Sequence, residues 1–461
     1  MTSWRPDPGQ LSRPIYLSLV EQFGRAIAEG LLQEGERLPT HRQLAYELGI
    51  SVQTVSRAYE ELMRRGLASG EVGRGTFVRL GAEEHSPPYI PERVAEVIDL
   101  SMLKPVLEAR HVDLFRAGAA AVAGSMPDRA ITSFRSNVVY ASHRPAALAW
   151  LRRCGIDPGE RDVQITNGAT AAIAVSVMTA LPPGSTIATE VFTHHTLLPL
   201  ARYLGIQVRG VAMDEEGIIP TELERLCREG DISALALLPN GAGPTAAFMS
   251  LGRREAIARI ARHYNLWLIE NDAWGPLIAD RPPPFATLAP ERTFYFTSFT
   301  KITVPALRIA YLLTPERLLA SALNRHLVTN WMASSLIAEL ARQWVVDGTA
   351  DELVRWQRQA LARRQRDAAA VLGDICYTSH EQGLHLWLPL PEGRSESDFV
   401  SFARLRGVAV APGSSFHAGA QPSPPGIRVS VGSTGADELR TGLGIIASLY
   451  RGAPEPALLT L

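Results

Sequence analysis

The chain has 461 residues, of which 46% are hydrophobic and 20% charged, and its formal net charge is −1. That length calls for two or more domains, and the composition is globular, without collagen-like or low-complexity bias. The balanced charge excludes a molecule that is basic throughout, while leaving room for a small DNA-reading module inside a neutral whole.

At the N-terminal end, Tyr16, Leu19, Val20, Phe23, Ile27 and Leu31 recur at helical spacing and make one apolar stripe. Thr40 is placed to cap a second helix, with Gly49 just past its end. Ser51 is placed to cap a third helix, predicted over 52–65 and closed by Gly66. The short turn holding Gly49 is what a helix-turn-helix requires. Two short strands around Gly73 and Gly75 read as a hairpin, or wing. Residues 10–80 form this first unit. Residues 81–97 are polar, contain Pro87, Pro88 and Pro91, and read as a linker.

The second unit is assigned to 98–461. Its strand candidates are Val163–Thr166, 186–189, 234–238 and 266–269, several of them nearly continuous apolar runs, as strands covered on both faces are. Helical patterns such as Leu251–His263 lie between them. This alternation predicts an α/β fold with a mainly parallel central sheet. A change near residue 325 leads to a helix-rich stretch over 336–372. A smaller α+β lobe follows, ending in Gly426–Ser430. The three cysteines, Cys154, Cys227 and Cys376, lie far apart and lack metal-ligand spacing, which points to a reducing cytoplasm and no metal site. The first ten residues lack the apolar core of a signal peptide, and no window offers eighteen apolar residues free of charge.

Only two lysines occur among 46 basic residues, Lys104 and Lys301. Arginine cannot form a Schiff base; lysine can, once its ammonium loses a proton. Lys301 lies in Ser298-Phe299-Thr300-Lys301, with Arg308 seven residues on. It reads as a covalent cofactor lysine rather than a leftover on the surface.

Residues 12–80 resemble the GntR-type winged helix-turn-helix. The matching pieces are Leu38 through Ala45, Leu48-Gly49-Ile50-Ser51, Thr54-Val55, Ala58-Tyr59, Gly66-Leu67 and Gly73 through Val78. The resemblance implies an operator of double-stranded DNA as partner. Ser51, Gln53, Thr54 and Arg57 fall near the start of the third helix, where a recognition helix meets base edges. Arg42 heads the second helix, suited to a phosphate, and Arg74 sits at the wing tip. Many such modules carry Arg after the Ser of helix three; this chain has Val52.

The second unit resembles fold-type I, aminotransferase-like pyridoxal phosphate domains, and the two units together look like the MocR branch of GntR regulators. Thr166-Asn167-Gly168-Ala169-Thr170 follows a strand and opens a helix, where free N–H groups attract phosphate. The resemblance puts the phosphate of pyridoxal 5'-phosphate against Gly168, Ala169 and Thr170, with Ser298, Thr300 and Arg308 as a second set. It makes Lys301 the Schiff-base residue and Arg428 the grip on a ligand carboxylate, and it points Tyr140 toward the neighbouring subunit's cofactor in a homodimer. Three departures stand out. His194 occupies the place of the aromatic ring over the pyridine. Gly243-Pro244-Thr245-Ala246 replaces the family's Asn-Pro-Thr-Gly. Glu270-Asn271-Asp272-Ala273-Trp274 covers the segment with the family's Asp under the ring nitrogen and Tyr near its oxygen. Direct register places Asn271 and Trp274 there; Asp272 serves instead if the strand bulges or ends.

The implied function is a cytoplasmic regulator whose cofactor domain senses pyridoxal phosphate or an amino compound. The alternatives are an active aminotransferase carrying a DNA-binding arm, and a repressor whose second unit is only a dimerisation scaffold. The eroded ring contacts weigh against the enzyme. The retained Lys301, Arg308 and Arg428 weigh against the scaffold.

Overall fold

The computed structural model describes residues 4–12, 14–28, 31–33, 35–64, 67–71, 75–78, 97–132, 142–159, 163–419, 421 and 423–452. It divides into two compact units, Met1–Glu92 and Arg93–Leu461.

In the first unit, helices α1 (Ile15–Ala28), α2 (His41–Leu48) and α3 (Val52–Arg64) precede an antiparallel hairpin of β1 (Ala68–Glu71) and β2 (Gly75–Val78). The apolar stripe of α1 is spent as expected: Leu19, Val20 and Phe23 are fully buried against Val55, Ala58, Tyr59 and Leu62 of α3. Leu31 is the exception; it lies past the helix end and is exposed. Thr40 caps α2 by accepting from the Gln43 N–H at 3.2 Å, and Gly49 ends it in the left-handed conformation, φ 64°.

The second unit centres on a seven-stranded sheet. Its order is Val163–Thr166, Ala310–Leu313, Thr293–Ser298, Trp267–Asp272, Ile232–Leu237, Thr186–Glu190 and Gln207–Val211. Every strand is parallel to its neighbours except Ala310–Leu313, which runs antiparallel to both of its own. Helices cover both faces, which explains why the central strands read as unbroken apolar runs. Alternation sorts the side chains: Ile269, Phe294 and Phe296 pack against Ala172 and Ile173 of the helix Ala169–Ala180, while Tyr295 turns to the opposite face.

The helix-rich stretch resolves into Ser335–Val346 and Thr349–Leu372. The small lobe carries an antiparallel sheet ordered Thr378–Ser379, His385–Pro389, Gly426–Ser430 and Ala411–Pro412. Ile98–Asp99 pairs in parallel with Val408–Ala409 of this lobe. The Leu100 carbonyl accepts from the Ser430 N–H. The segment after it, 101–104, is thereby fixed beside the strand that bears Arg428.

Candidate functional site

Lys301 sits in the loop between Thr293–Ser298 and Ala310–Leu313, two residues beyond Phe299 and one before Ile302, both fully buried. Phe299 stacks on Trp150 at 4.3 Å, so the backbone on each side of the lysine is held by core packing. The Lys301 Nζ donates to the Leu103 carbonyl at 2.5 Å. Burial, then the positive charges of Arg428, Arg308 and Lys104, push its ammonium down to about 8. A substantial share is therefore free amine near neutral pH, the form that attacks a carbonyl.

Gly168 caps the helix Ala169–Ala180 with φ 78° and ψ 177°, a conformation that essentially only glycine adopts. The first N–H groups of that helix have no partner within it, and its dipole favours an anion there. Thr170 is exposed at this end. The Arg308 guanidinium lies 3.5 Å from where a Gly168 Cβ would stand. Among the described residues no carboxylate pairs with Arg308. Ser298 and Thr300 meet beside it: the Ser298 Oγ accepts from the Thr300 N–H at 3.2 Å and donates to the Thr300 Oγ1 at 3.2 Å. An unneutralised guanidinium, a glycine-capped helix start and two hydroxyls are a donor set that fits a phosphate.

Arg428 lies on the strand Gly426–Ser430, 5% exposed, with its guanidinium 4.5 Å over the Phe416 ring and Nη2 donating to the Ser101 carbonyl at 2.7 Å. His194 stacks on His195 at 4.5 Å, and its Nδ1 accepts from the Thr196 N–H at 3.4 Å. Burial and nearby charge hold both imidazoles neutral, His194 well below its usual range and His195 down to about 4. Lys301 and Arg428 are among those charges, which places His194 with them at one site. His385 is also there. Its Nε2 donates to the carbonyls of Gly243 and Pro244 at 2.9 and 3.1 Å, and burial beside Arg428 pushes it down to about 3. Trp274 is buried edge-on to His385, 5.7 Å between ring centres.

The choice between Asn271 and Asp272 is decided by alternation. Asn271 pairs in register with Phe296 and shares the face of the helix Ala169–Ala180. Asp272 points the other way and is fully buried. Its Oδ1 accepts from the Asn240 Nδ2 at 2.9 Å; its Oδ2 accepts from the Arg281 Nη1 at 2.6 Å and the Tyr295 hydroxyl at 2.5 Å. The strand neither bulges nor ends in the way that would turn Asp272 to the cofactor, because this ion pair claims its carboxylate. Asn240 is spent in the same network, with its Oδ1 accepting from the fully buried Arg254 at 2.6 Å. It therefore does not replace the missing asparagine of the 243–246 loop. In that loop Ala246 keeps the left-handed conformation, φ 58°, where the family has glycine.

In the DNA-reading unit, Arg42, Gln53 and Arg57 are exposed. Arg57 lies 4.5 Å over the Tyr16 ring, which tethers it near the start of α1. The Ser51 Oγ accepts from the Thr54 N–H at 3.0 Å and lies 2.8 Å from the Thr54 Oγ1. Ser51 is thus committed as the cap of α3 rather than offered to DNA. Arg74 and Tyr140 lie outside the described residues. Sequence reasoning gave no role to His195, His385 or Lys104. Only the scarcity of lysine pointed at the last.

The family description "Aminotransferase class I and II" matches residues 97–445, and "Bacterial regulatory proteins, gntR family" matches 15–78. The chain is 28% identical to the HTH-type transcriptional regulator YdeF of Bacillus subtilis, over 97% of this chain and 96% of that one. It is 27% identical to the vitamin B6 salvage pathway transcriptional repressor PtsJ of Salmonella typhimurium, over 92% and 95%. Its fold is similar to that of Pyrococcus horikoshii kynurenine aminotransferase, with a TM-score of 0.72 at 20% identity, over 78% of this chain and 91% of that one. Among the described residues no helix is long and apolar enough to cross a membrane. The chain belongs to the class I and II aminotransferase family, binds pyridoxal 5'-phosphate, and carries a gntR-family DNA-binding domain ahead of that fold, the arrangement of the MocR-type regulators.

Proposed function

We propose that this regulator holds pyridoxal 5'-phosphate at Lys301 and alters its DNA binding when an amino compound enters the same site. Gly168, Ala169, Thr170, Ser298, Thr300 and Arg308 hold the phosphate, Asn271 meets the ring nitrogen, His194 and Trp274 flank the ring, and Arg428 takes the ligand carboxylate. The cofactor supplies an imine linkage to a primary amine, so the ligand amine and the Lys301 amine exchange one for the other. The working form is a cytoplasmic homodimer, since helix-turn-helix proteins read two half-sites with two copies.

The separation of Asn271 from Asp272 carries this reading. The Asn271 Oδ1 accepts from the Ala273 N–H at 3.2 Å, which leaves the Nδ2 donor to face the site. An amide N–H donates to a pyridine nitrogen only when that nitrogen bears no proton. A carboxylate would hold the proton there and make the ring an electron sink. Binding at Lys301 is kept while the group that drives turnover is absent, which favours a sensor over an aminotransferase.

The purified protein is expected to show an absorption band near the edge of the visible range that is absent in Lys301→Ala. Transamination of common amino acids is expected to be slow or absent. Wild type without the band, or with fast turnover, would contradict the reading.

A further inference from the structure

The two lysines of the chain stand at one site. Leu103 accepts from the Lys301 Nζ, and Lys104 is the next residue. The Lys104 carbonyl packs against Gly432, just beyond the strand that bears Arg428, so closely that a Cβ there would come within 2.2 Å. Arg428 holds the same segment through the Ser101 carbonyl. Lys104 is half-buried, and among the described residues no carboxylate pairs with it.

The site's charges do not balance with a cofactor and a simple amino acid alone. Lys301, Lys104, Arg308 and Arg428 are gathered in it. The nearby imidazoles of His194, His195 and His385 are neutral. The Asp272 carboxylate is claimed by Arg281 on the far face of the sheet. Glu190, close behind the 243–246 loop, is fully buried with its carboxyl held in the protonated form. A bound phosphate answers Arg308, and a ligand α-carboxylate answers Arg428. Lys104 remains, a half-buried cation in a field of like charge, where a further anion gains most.

We infer that Lys104 binds a second acidic group on the effector, so that the ligand is an acidic amino acid: a primary amine, an α-carboxylate for Arg428 and a distal acid for Lys104. This rests on the sensing role proposed above and names the ligand class that the role requires.

The test is a spectral titration of the cofactor-loaded full chain. Aspartate, glutamate and 2-aminoadipate are compared with their uncharged counterparts asparagine, glutamine and norvaline. At least one acid is expected to act at about tenfold lower concentration than its counterpart, equivalent to ~1.4 kcal/mol. In Lys104→Gln that ratio is expected to fall to about one, whatever happens to absolute affinity. In Lys104→Glu the preference is expected to turn toward ornithine and lysine. The cofactor band itself reports that each variant is folded and loaded. Wild type with the band but no preference for an acid, or Lys104→Gln with the ratio intact, overturns this inference alone. Wild type without the band overturns it together with the sensing role.

Discussion

Lys301 and Asn271 divide the chemistry between them, one binding and the other restraining. With its amine titrating at about 8, Lys301 is the free nucleophile above that pH and an inert ammonium below it. Capture of added pyridoxal phosphate by cofactor-free protein is therefore expected to slow about tenfold per pH unit below 8 and to level off above it, as followed by stopped-flow absorbance. Restoring a carboxylate should reverse the restraint. Asn271→Asp is expected to speed exchange of the ligand's α-proton with D2O by at least tenfold, read by NMR; no change would show that the ring nitrogen is not held at this residue. The identity of Lys301 was legible from residue scarcity and its Ser-Phe-Thr-Lys setting. The choice at 271 and 272 was not. Period-two alternation says that adjacent residues face apart, but only pairing with Phe296 and the grip of Arg281 say which faces where.

At the scale of elements, the continuous apolar strands made the parallel sheet legible, and the caps Thr40 and Ser51 fixed the helix starts. Lys104 and His385 stayed unread because their partners lie on distant segments, the Leu103–Lys301 contact and the 243–244 carbonyls. Two elements store free energy that substitution should release. The 243–246 loop holds Ala246 at φ 58°, which costs a residue with a Cβ roughly 1–2 kcal/mol. Ala246→Gly is expected to stabilise the protein by about 0.5–1 kcal/mol in denaturant unfolding, because glycine's greater freedom in the unfolded chain offsets part of the gain. The strand Thr186–Glu190 ends in a carboxyl that burial raises to about 8. A raised folded-state value favours the native state below the unfolded value and works against it as pH rises toward 8. The melting-temperature advantage of Glu190→Gln over wild type should therefore grow between pH 5 and pH 8. An advantage that does not change with pH would place the Glu190 carboxyl in contact with water.

Over the whole molecule, one compact unit reads DNA and the other binds the cofactor, and regulation requires only that a ligand prefer one arrangement of the dimer over another. The exposed arginines Arg42 and Arg57 predict DNA binding that weakens steeply with salt, as phosphate contacts do. The central claim is that Lys301 connects ligand binding to DNA binding. The direct measurement is the affinity of cofactor-loaded full chain for the DNA upstream of its own gene, at fixed salt, with and without the amino acid that shifts its spectrum. The ligand is expected to change that affinity about fivefold or more in wild type and to leave Lys301→Ala unaffected. An equal change in Lys301→Ala, or none in wild type whose spectrum responds, would contradict it.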